Sequence, residues 1–417
     1  MEDDQIQTKR IHIDKKSDSY SSSDEQRFIE IVNSNFQKFI VEARIKETID
    51  SELTSLLIEH NVLMLFQLKS SLVNTVVYLI ICKKCKAEVD LLNIQINDTI
   101  GVYGKAFESK SLKFLYYVYN PKIFETLIIL NPMFQIGTTF VTDKSPCYRK
   151  YFLSQKYFGS GRANEELGSI GTMKHNIFEA IVLELITDDQ GEGFIERQIV
   201  MEKGFFSIPS EEDFKKYKSQ LISMELKSKY FFNKYVEDKE IFLGPNKEQC
   251  RIKRIIASEY TLNSHKFGLK GKIDLLVKVE YRKHEDYEYT ELIIPFELKT
   301  GKKYIEHEDQ VILYNVSYHE EFLSDQFSIL YYSETNEYVW VSNNFERLSC
   351  LIRQRNVIYK YLKEESIPFP SNNLFLCNRF CSQNRNCATE SFLEHINDIL
   401  NEPNIEILQK YNIPILE

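Results

Sequence analysis

FGLKGKIDLLVKVEYRKHEDYEYTELIIPFELKTGKKYIEHEDQVILY, residues 267–314, carries an Asp, a Glu-x-Lys and a Gln on a background of two apolar runs and one helical repeat. Residues 273–279 (IDLLVKV) and 291–297 (ELIIPFE) are short and partly β-branched, and a polar insert rich in Tyr, Lys, Asp and Glu separates them. That pattern predicts two buried strands joined by a long hairpin loop, with Asp274 at the start of the first. In the second, period-two alternation puts Glu297 and Lys299 on one face and turns Leu298 to the other. Thr300 and Gly301 end the strand. Beyond them His307, Gln310, Val311 and Tyr314 share a helical face at i, i+3, i+4 and i+7.

A carboxylate on one strand and a carboxylate two residues from an ammonium on its neighbour can converge on one spot. Hydrolysis of a phosphodiester asks for these types: Asp and Glu oxygens hold magnesium or manganese, and a lysine beside them holds hydroxide and offsets developing charge. The alternative for Asp274, Glu297 and Lys299 is an ordinary cross-strand salt bridge, common and weak on surfaces. Their apolar neighbours argue against a solvated surface, because charges are costly in such places.

FGLKGKID, PFELKTGK and EHEDQVILY together resemble motifs of the RecB-like branch of the PD-(D/E)xK nucleases, and within it the family of the eukaryotic helicase/nuclease that trims 5′ flaps. The resemblance implies an α/β fold: a PD-(D/E)xK, restriction-endonuclease-like core with a central mixed sheet flanked by helices. It implies that Asp274 and Glu297 bind Mg2+ or Mn2+ together with the backbone carbonyl of Leu298, that Lys299 is the catalytic lysine, and that Gln310 and Tyr314 support it. One departure is visible. The family usually has a basic residue between the His and the Gln, where this chain has Glu308 and Asp309.

With 417 residues and 43% hydrophobic content the chain can bury a substantial core, and length suggests two or three domains. Residues 1–23 are polar and without periodicity, predicting a disordered tail. Residues 24–47 carry Phe28, Ile29, Ile31, Val32, Phe36, Phe39 and Ile40, which predicts an amphipathic helix. From 62 to 130 short β-branched and aromatic runs alternate with polar turns, the pattern of a small antiparallel, OB-like barrel, so residues 24–130 form an N-terminal helix-and-barrel domain. The run 72–82 is too short to span a bilayer and reads as a buried strand; no membrane association is expected. Cys82 and Cys85 lack a second pair and read as strand-end thiols.

Residues 131–395 form the expected nuclease domain, followed by a tail over 396–417. Gly137, Thr138, Cys147 and Arg149 follow the order of the family's entry segment. Residues 168–185 (GSIGTMKHNIFEAIVLEL) are strongly periodic, with Gly171 four residues before His175 and Glu179 a turn beyond. A lone helix histidine is usually a satisfied core or surface residue, but the resemblance to the family's G-x-x-x-H helix implies His175 as a metal ligand, with Glu179 a weaker candidate. Residues 192–239 read as mostly helix, with Glu196 near a strand start. Glu259 is a carboxylate without an assigned place along the groove. Residues 327–341 predict a strand hairpin, and residues 345–362 a helix resembling the Arg-Asn helix that precedes the family's last cysteines.

Residues 377–387 read CNRFCSQNRNC. Eight cysteines without a secretory signal favour an intracellular protein and metal ligation over disulfides. The resemblance implies a 4Fe-4S cluster on Cys147, Cys377, Cys381 and Cys387, favoured over zinc, although the first gap in this trio holds three residues where the family commonly has two. Thiolates suit either metal, and free thiols are the bland alternative.

The formal charge of −9 is unusual for an enzyme that grips phosphates; a confined basic groove reconciles the two. Lysines gather over 215–234, either along a DNA path or on a solvated helix face, and Arg149, Lys270, Lys272 and Arg355 are candidate DNA contacts. The expectation is a Mg2+- or Mn2+-dependent endonuclease on single-stranded or 5′-flap DNA in replication and repair, nuclear, with mitochondrial location as the alternative. No G-x-x-x-x-G-K-[ST] occurs, so ATP hydrolysis is not expected, and a separate helicase and a single-strand-binding protein are the expected partners. A stand-alone iron-sulfur exonuclease would share every catalytic residue. A non-catalytic single-strand-binding subunit would need a damaged site.

Overall fold

A computed structural model of the chain describes residues 36–45, 51–70, 76–85, 92–109, 114–143, 147–156, 165–186, 190–203, 210–237, 239–285, 287–323, 325–364, 368, 377, 381 and 383–394. The expected tails, 1–23 and 396–417, lie outside these residues.

The first sheet starts where a helix was expected. Phe36–Ile45 is strand β1, and Phe39, Val41, Ala43 and Ile45 are buried while their neighbours face out. Period two fits four buried positions here, and period 3.6 does not; residues 24–35 of the expected helix are outside the described set. After helix α1 (Ser51–Glu59) come β2 (Val62–Lys69), β3 (Val76–Cys82), β4 (Thr99–Tyr103), β5 (Phe107–Glu108), β6 (Phe114–Tyr119), the short helix α2 (Pro121–Phe124) and β7 (Leu127–Leu130). Their order is β5-β6-β3-β2-β1-β4-β7, with β3 and β6 parallel. The wholly antiparallel barrel predicted for this region is therefore a mixed seven-stranded sheet, and among the described residues no pairing joins β5 to β7. Cys82 closes β3 and Cys85 lies in the turn after it, both buried.

The second sheet carries the site. β8 (Ile136–Gly137) leads into helices α3 (Thr138–Val141), α4 (Tyr148–Lys156), α5 (Glu165–Val182), α6 (Gly191–Lys203) and α7 (Glu211–Phe231). Glu196 sits inside α6, not at a strand start. Strands β9 (Phe242–Leu243), β10 (Gln249–Ser264), β11 (Leu269–Arg282) and β12 (Thr290–Lys299) follow, then α8 (Ile305–His319), β13 (Phe327–Tyr332), β14 (Glu337–Ser342), α9 (Phe345–Lys363) and α10 (Asn384–Glu394). The order is β14-β13-β12-β11-β10-β9, with β8 paired to β11. β11 and β12 are antiparallel, whereas β12 and β13 are parallel with α8 as their crossover.

Alternation along the strands explains the layers. Ile329 and Tyr331 of β13 pack with Ile177, Leu221, Met224 and Phe231 of α5 and α7. Leu330 and Tyr332, one residue on, pack with Val311, Val316, Leu348 and Ile352 of α8 and α9. The sheet is thus buried on both faces, which is why its strands read as near-continuous apolar runs.

Helix α9 also ties the sheets together. Asn356 donates to the Ile128 carbonyl at 2.6 Å and accepts from the Leu130 amide at 2.9 Å. Arg355, fully buried, donates to the carbonyls of Leu130, Asn131, Phe134 and Gly268. Gly268 stands at φ +63°, and a Cβ there would run into the Arg355 guanidinium, so its glycine is required twice over.

Candidate active site

Asp274 lies in the middle of β11, later in the strand than expected, because pairing with β8 and β10 extends β11 back to Leu269. The antiparallel neighbour β12 brings Glu297 and Lys299 to the same end. Asp274 Oδ2 accepts from the Leu298 amide at 2.7 Å, which fixes the carboxylate across the two strands. Its Oδ1 is 3.3 Å from His175 Nδ1 on α5. Lys299 Nζ donates to Glu297 Oε1 at 2.7 Å and to Gln310 Oε1 at 3.0 Å, and Gln310 Nε2 donates to the Tyr314 hydroxyl at 2.6 Å. Every catalytic position predicted on β11, β12, α5 and α8 is thus in one cleft.

That cleft measures about 790 Å3 and is also lined by Thr138, Asn176, Glu259, Lys270 and Lys272. Gly271 lets the strand pass close to α8 and α3: a Cβ there would lie 2.6 Å from the Tyr314 ring and 2.8 Å from Thr138 Oγ1.

The electrostatics are one-sided. Burial and then the Asp274 charge push the Glu297 carboxyl up to about 7, against the pull of Lys299. Burial works against the charged forms of Lys299 and His175 too, yet the facing carboxylates outweigh it and raise both. All three groups hold their protons more tightly than usual, the signature of excess negative charge in a site shielded from water. Glu297 Oε2 is buried with no hydrogen-bond partner. A carboxylate oxygen in that condition is costly unless a cation meets it, and the oxygen-and-imidazole donor set suits magnesium or manganese. Ligand atoms of His175, Glu259 and Asp274 all lie within 4.8 Å of one another.

Other predicted residues take different places. Glu179 accepts from the Ser258 hydroxyl and stands outside that ligand group. Glu308 and Asp309 both pair with Arg347, at 2.8 and 2.6 Å, so the acidic turn is held in a structural ion-pair cluster. Arg149 and Arg355 are 1% and 0% exposed, so neither reaches DNA. Arg149 instead donates to Cys387 Sγ at 3.2 Å, to the Pro368 carbonyl at 3.0 Å and to Ser391 Oγ at 3.3 Å. Lys270 is exposed, and Lys272 is exposed but paired with Glu259 at 2.7 Å.

Cys147, just before α4, is brought close to Cys377, Cys381 and Cys387. Burial first, and then the neighbouring thiols, raise the thiol pKa of Cys377, and burial does the same for Cys381 and Cys387. Arg149 beside Cys387 acts in the opposite direction. Four half-buried sulfurs from distant segments with a buried guanidinium against one of them form a donor set fitted to a thiolate-bound metal centre.

The fold and the cleft define a mixed α/β protein with a carboxylate, lysine and histidine site suited to a divalent cation. Residues 84–279 match the family model described as Dna2, DNA replication factor Dna2. Over those residues the chain is similar to that family. It is 27% identical over 295 residues to the DNA replication ATP-dependent helicase/nuclease DNA2 of Xenopus tropicalis, covering 63% of this chain and 27% of the relative. The Homo sapiens protein of that name is 26% identical over 306 residues, with 63% and 27% covered, and the Schizosaccharomyces pombe protein is 24% identical over 307, with 68% and 21% covered. The chain therefore spans about a quarter of the length of the curated relatives it matches. Among solved structures, the crystal structure of SSO0001 is similar at 9% identity and a TM-score of 0.20, covering 58% of this chain and 93% of that one. Among the described residues, no helix is long and apolar enough to cross a membrane.

Proposed function

We propose that this chain is a magnesium- or manganese-dependent deoxyribonuclease on a PD-(D/E)xK core over residues 131–395, cutting single-stranded or 5′-flap DNA endonucleolytically in nuclear replication and repair. The observation that carries this is the charge state of the cleft: a buried Glu297 oxygen with no hydrogen-bond partner beside Asp274, while Lys299 bonds the other Glu297 oxygen and His175 faces Asp274. Asp274, Glu297, His175 and the Leu298 carbonyl would hold the cation. When bound, such an ion polarises a nonbridging phosphate oxygen and lowers the pKa of a water. Lys299 is steered by Glu297 and Gln310 so that its ammonium faces the reacting phosphate, where it orients the attacking water and offsets developing charge. Tyr314 locks the Gln310 amide. Leu298 N–H keeps Asp274 from rotating out of reach.

Cys147, Cys377, Cys381 and Cys387 would hold a 4Fe-4S cluster joining α4 to α10. Such a staple closes a loop of more than two hundred residues, where the constraint on the unfolded chain is large. A separate helicase and a single-strand-binding protein are the partners this reading calls for.

The test uses purified protein, a labelled flap and Mg2+. Asp274→Ala and Lys299→Ala should each abolish cleavage while flap binding stays within about threefold, since deleting one transition-state contact costs roughly 100-fold or more. Undiminished cleavage by either variant sinks the assignment. Flaps with blocked ends that resist cutting would move the activity to an exonuclease.

A further inference from the structure

Glu259 is the one acidic side chain in the cleft that no motif claims. It stands inside the long strand β10 at φ +47°, a left-handed conformation that a non-glycine residue rarely adopts. Register pairs flank it, Ser258 with Leu275 and Tyr260 with Ile273, while Glu259 and Asp274 have none between them. That register sets it opposite Asp274, on the same face of the sheet, with Lys272 as its ion-pair partner at 2.7 Å. Its oxygen, an Asp274 oxygen and a His175 ring nitrogen then all fall within 4.8 Å. An octahedral ion with ligands at about 2.1 Å separates its donors by roughly 3 to 4.2 Å. Independently, the buried and partnerless Glu297 Oε2 lines the same cleft, so the cleft already calls for positive charge that its own lysines do not supply.

Resting on the nuclease reading, we propose that Glu259 is a further cation ligand, acting with His175 and Asp274, and that Lys272 is its placeholder in the metal-free chain. Cation binding takes the Glu259 carboxylate from Lys272. The released ammonium, 61% exposed in its paired state, is then available to a DNA phosphate, so cation loading and DNA contact reinforce each other.

Manganese titration of the full chain by calorimetry, without DNA, tests this apart from cleavage. Glu259→Gln should weaken Mn2+ binding roughly ten- to hundred-fold, the range typical of disturbing a metal site's supporting groups. Lys272→Gln breaks the same ion pair but should leave Mn2+ binding equal or tighter, while reducing the gain in single-strand affinity that Mn2+ brings. Glu259→Gln binding within about twofold of the parent overturns the proposal, and so does equal weakening by both variants, which would make the pair merely structural. If Asp274→Ala retains cleavage, the nuclease reading fails; if it loses cleavage and Glu259→Gln keeps its manganese, only the present inference fails.

Discussion

Replacing Glu297 with glutamine should stabilise the metal-free protein and remove its response to manganese. The carboxyl rises from 4.5 to about 7 in the folded chain, because burial and Asp274 disfavour its charge more than Lys299 favours it. A group raised in this way contributes stability fully present below pH 4.5 and lost as pH rises through about 7. At about 1.4 kcal/mol per pH unit, the ionised folded state bears on the order of 3 kcal/mol at pH 8. The isosteric amide stays neutral and still accepts from Lys299, which also keeps Gln310. In EDTA at pH 8, Glu297→Gln should therefore melt roughly 3–4 °C above the parent, and near pH 5 the two should coincide. Manganese at about a hundred times its dissociation constant should add about 2.7 kcal/mol to the parent and far less to the variant. A variant less stable than the parent at pH 8 in EDTA, or one that gains as much from manganese, refutes the reasoning.

Arg355→Ala leaves several carbonyls facing a void between the two sheets and should cost about 3–5 kcal/mol in urea unfolding; Arg355→Lys should recover little, because a lysine lacks the planar fork. A loss under about 1 kcal/mol would show that the sheets hold together without it. Burial, and then Lys299, depress His307 to about 4, so its folded form resists the proton that the unfolded chain takes up at about 6.5. Stability should fall as pH drops from about 6.5 toward 4, by on the order of 1–2 kcal/mol after allowing for its partial exposure, and His307→Gln should flatten that slope. Anaerobically purified protein should be brown with broad visible absorption, and Cys387→Ser should lose colour and iron together; colourless parent protein with stoichiometric zinc would contradict the cluster.

The clustering of Glu297, Lys299, Gln310 and Tyr314 was readable because its spacing is local. Glu297 and Lys299 share a strand face by period two, Gln310 and Tyr314 share a helix face by i, i+4, and neither depends on the rest of the fold. Strand β1 was not readable. Phe36, Phe39 and Ile40 satisfy a helical repeat as well as Phe39, Val41, Ala43 and Ile45 satisfy a strand, and pairing with β2 and β4 decided between them. The parallel β3 and β6 pair depends on a crossover that local patterning does not encode. The place of Glu259 depends on the β10–β11 register, which sets it opposite Asp274 and which local patterning does not encode.

Arginines and lysines show the same limit from the side of charge. A sequence rich in basic residues near catalytic motifs suggests phosphate contacts, yet Arg149 and Arg355 are spent inside the protein on carbonyls, a hydroxyl and a thiol. The lysines of 215–234 are largely matched on the surface: Lys215 with Glu211, Lys218 with Glu192 and Glu196, Lys227 with Glu334, Lys229 with Glu225 and Lys234 with Glu240. Salt-screened pairs of this kind add little stability, but they also cancel the field that would draw DNA along α7. With those charges neutralised, attraction for a phosphate backbone concentrates at the cleft, on exposed Lys270, on Lys272 once it leaves Glu259, and on whatever cation the carboxylates hold. A net charge of −9 is then compatible with nucleic-acid chemistry, because the positive field is needed only where the phosphate is cut.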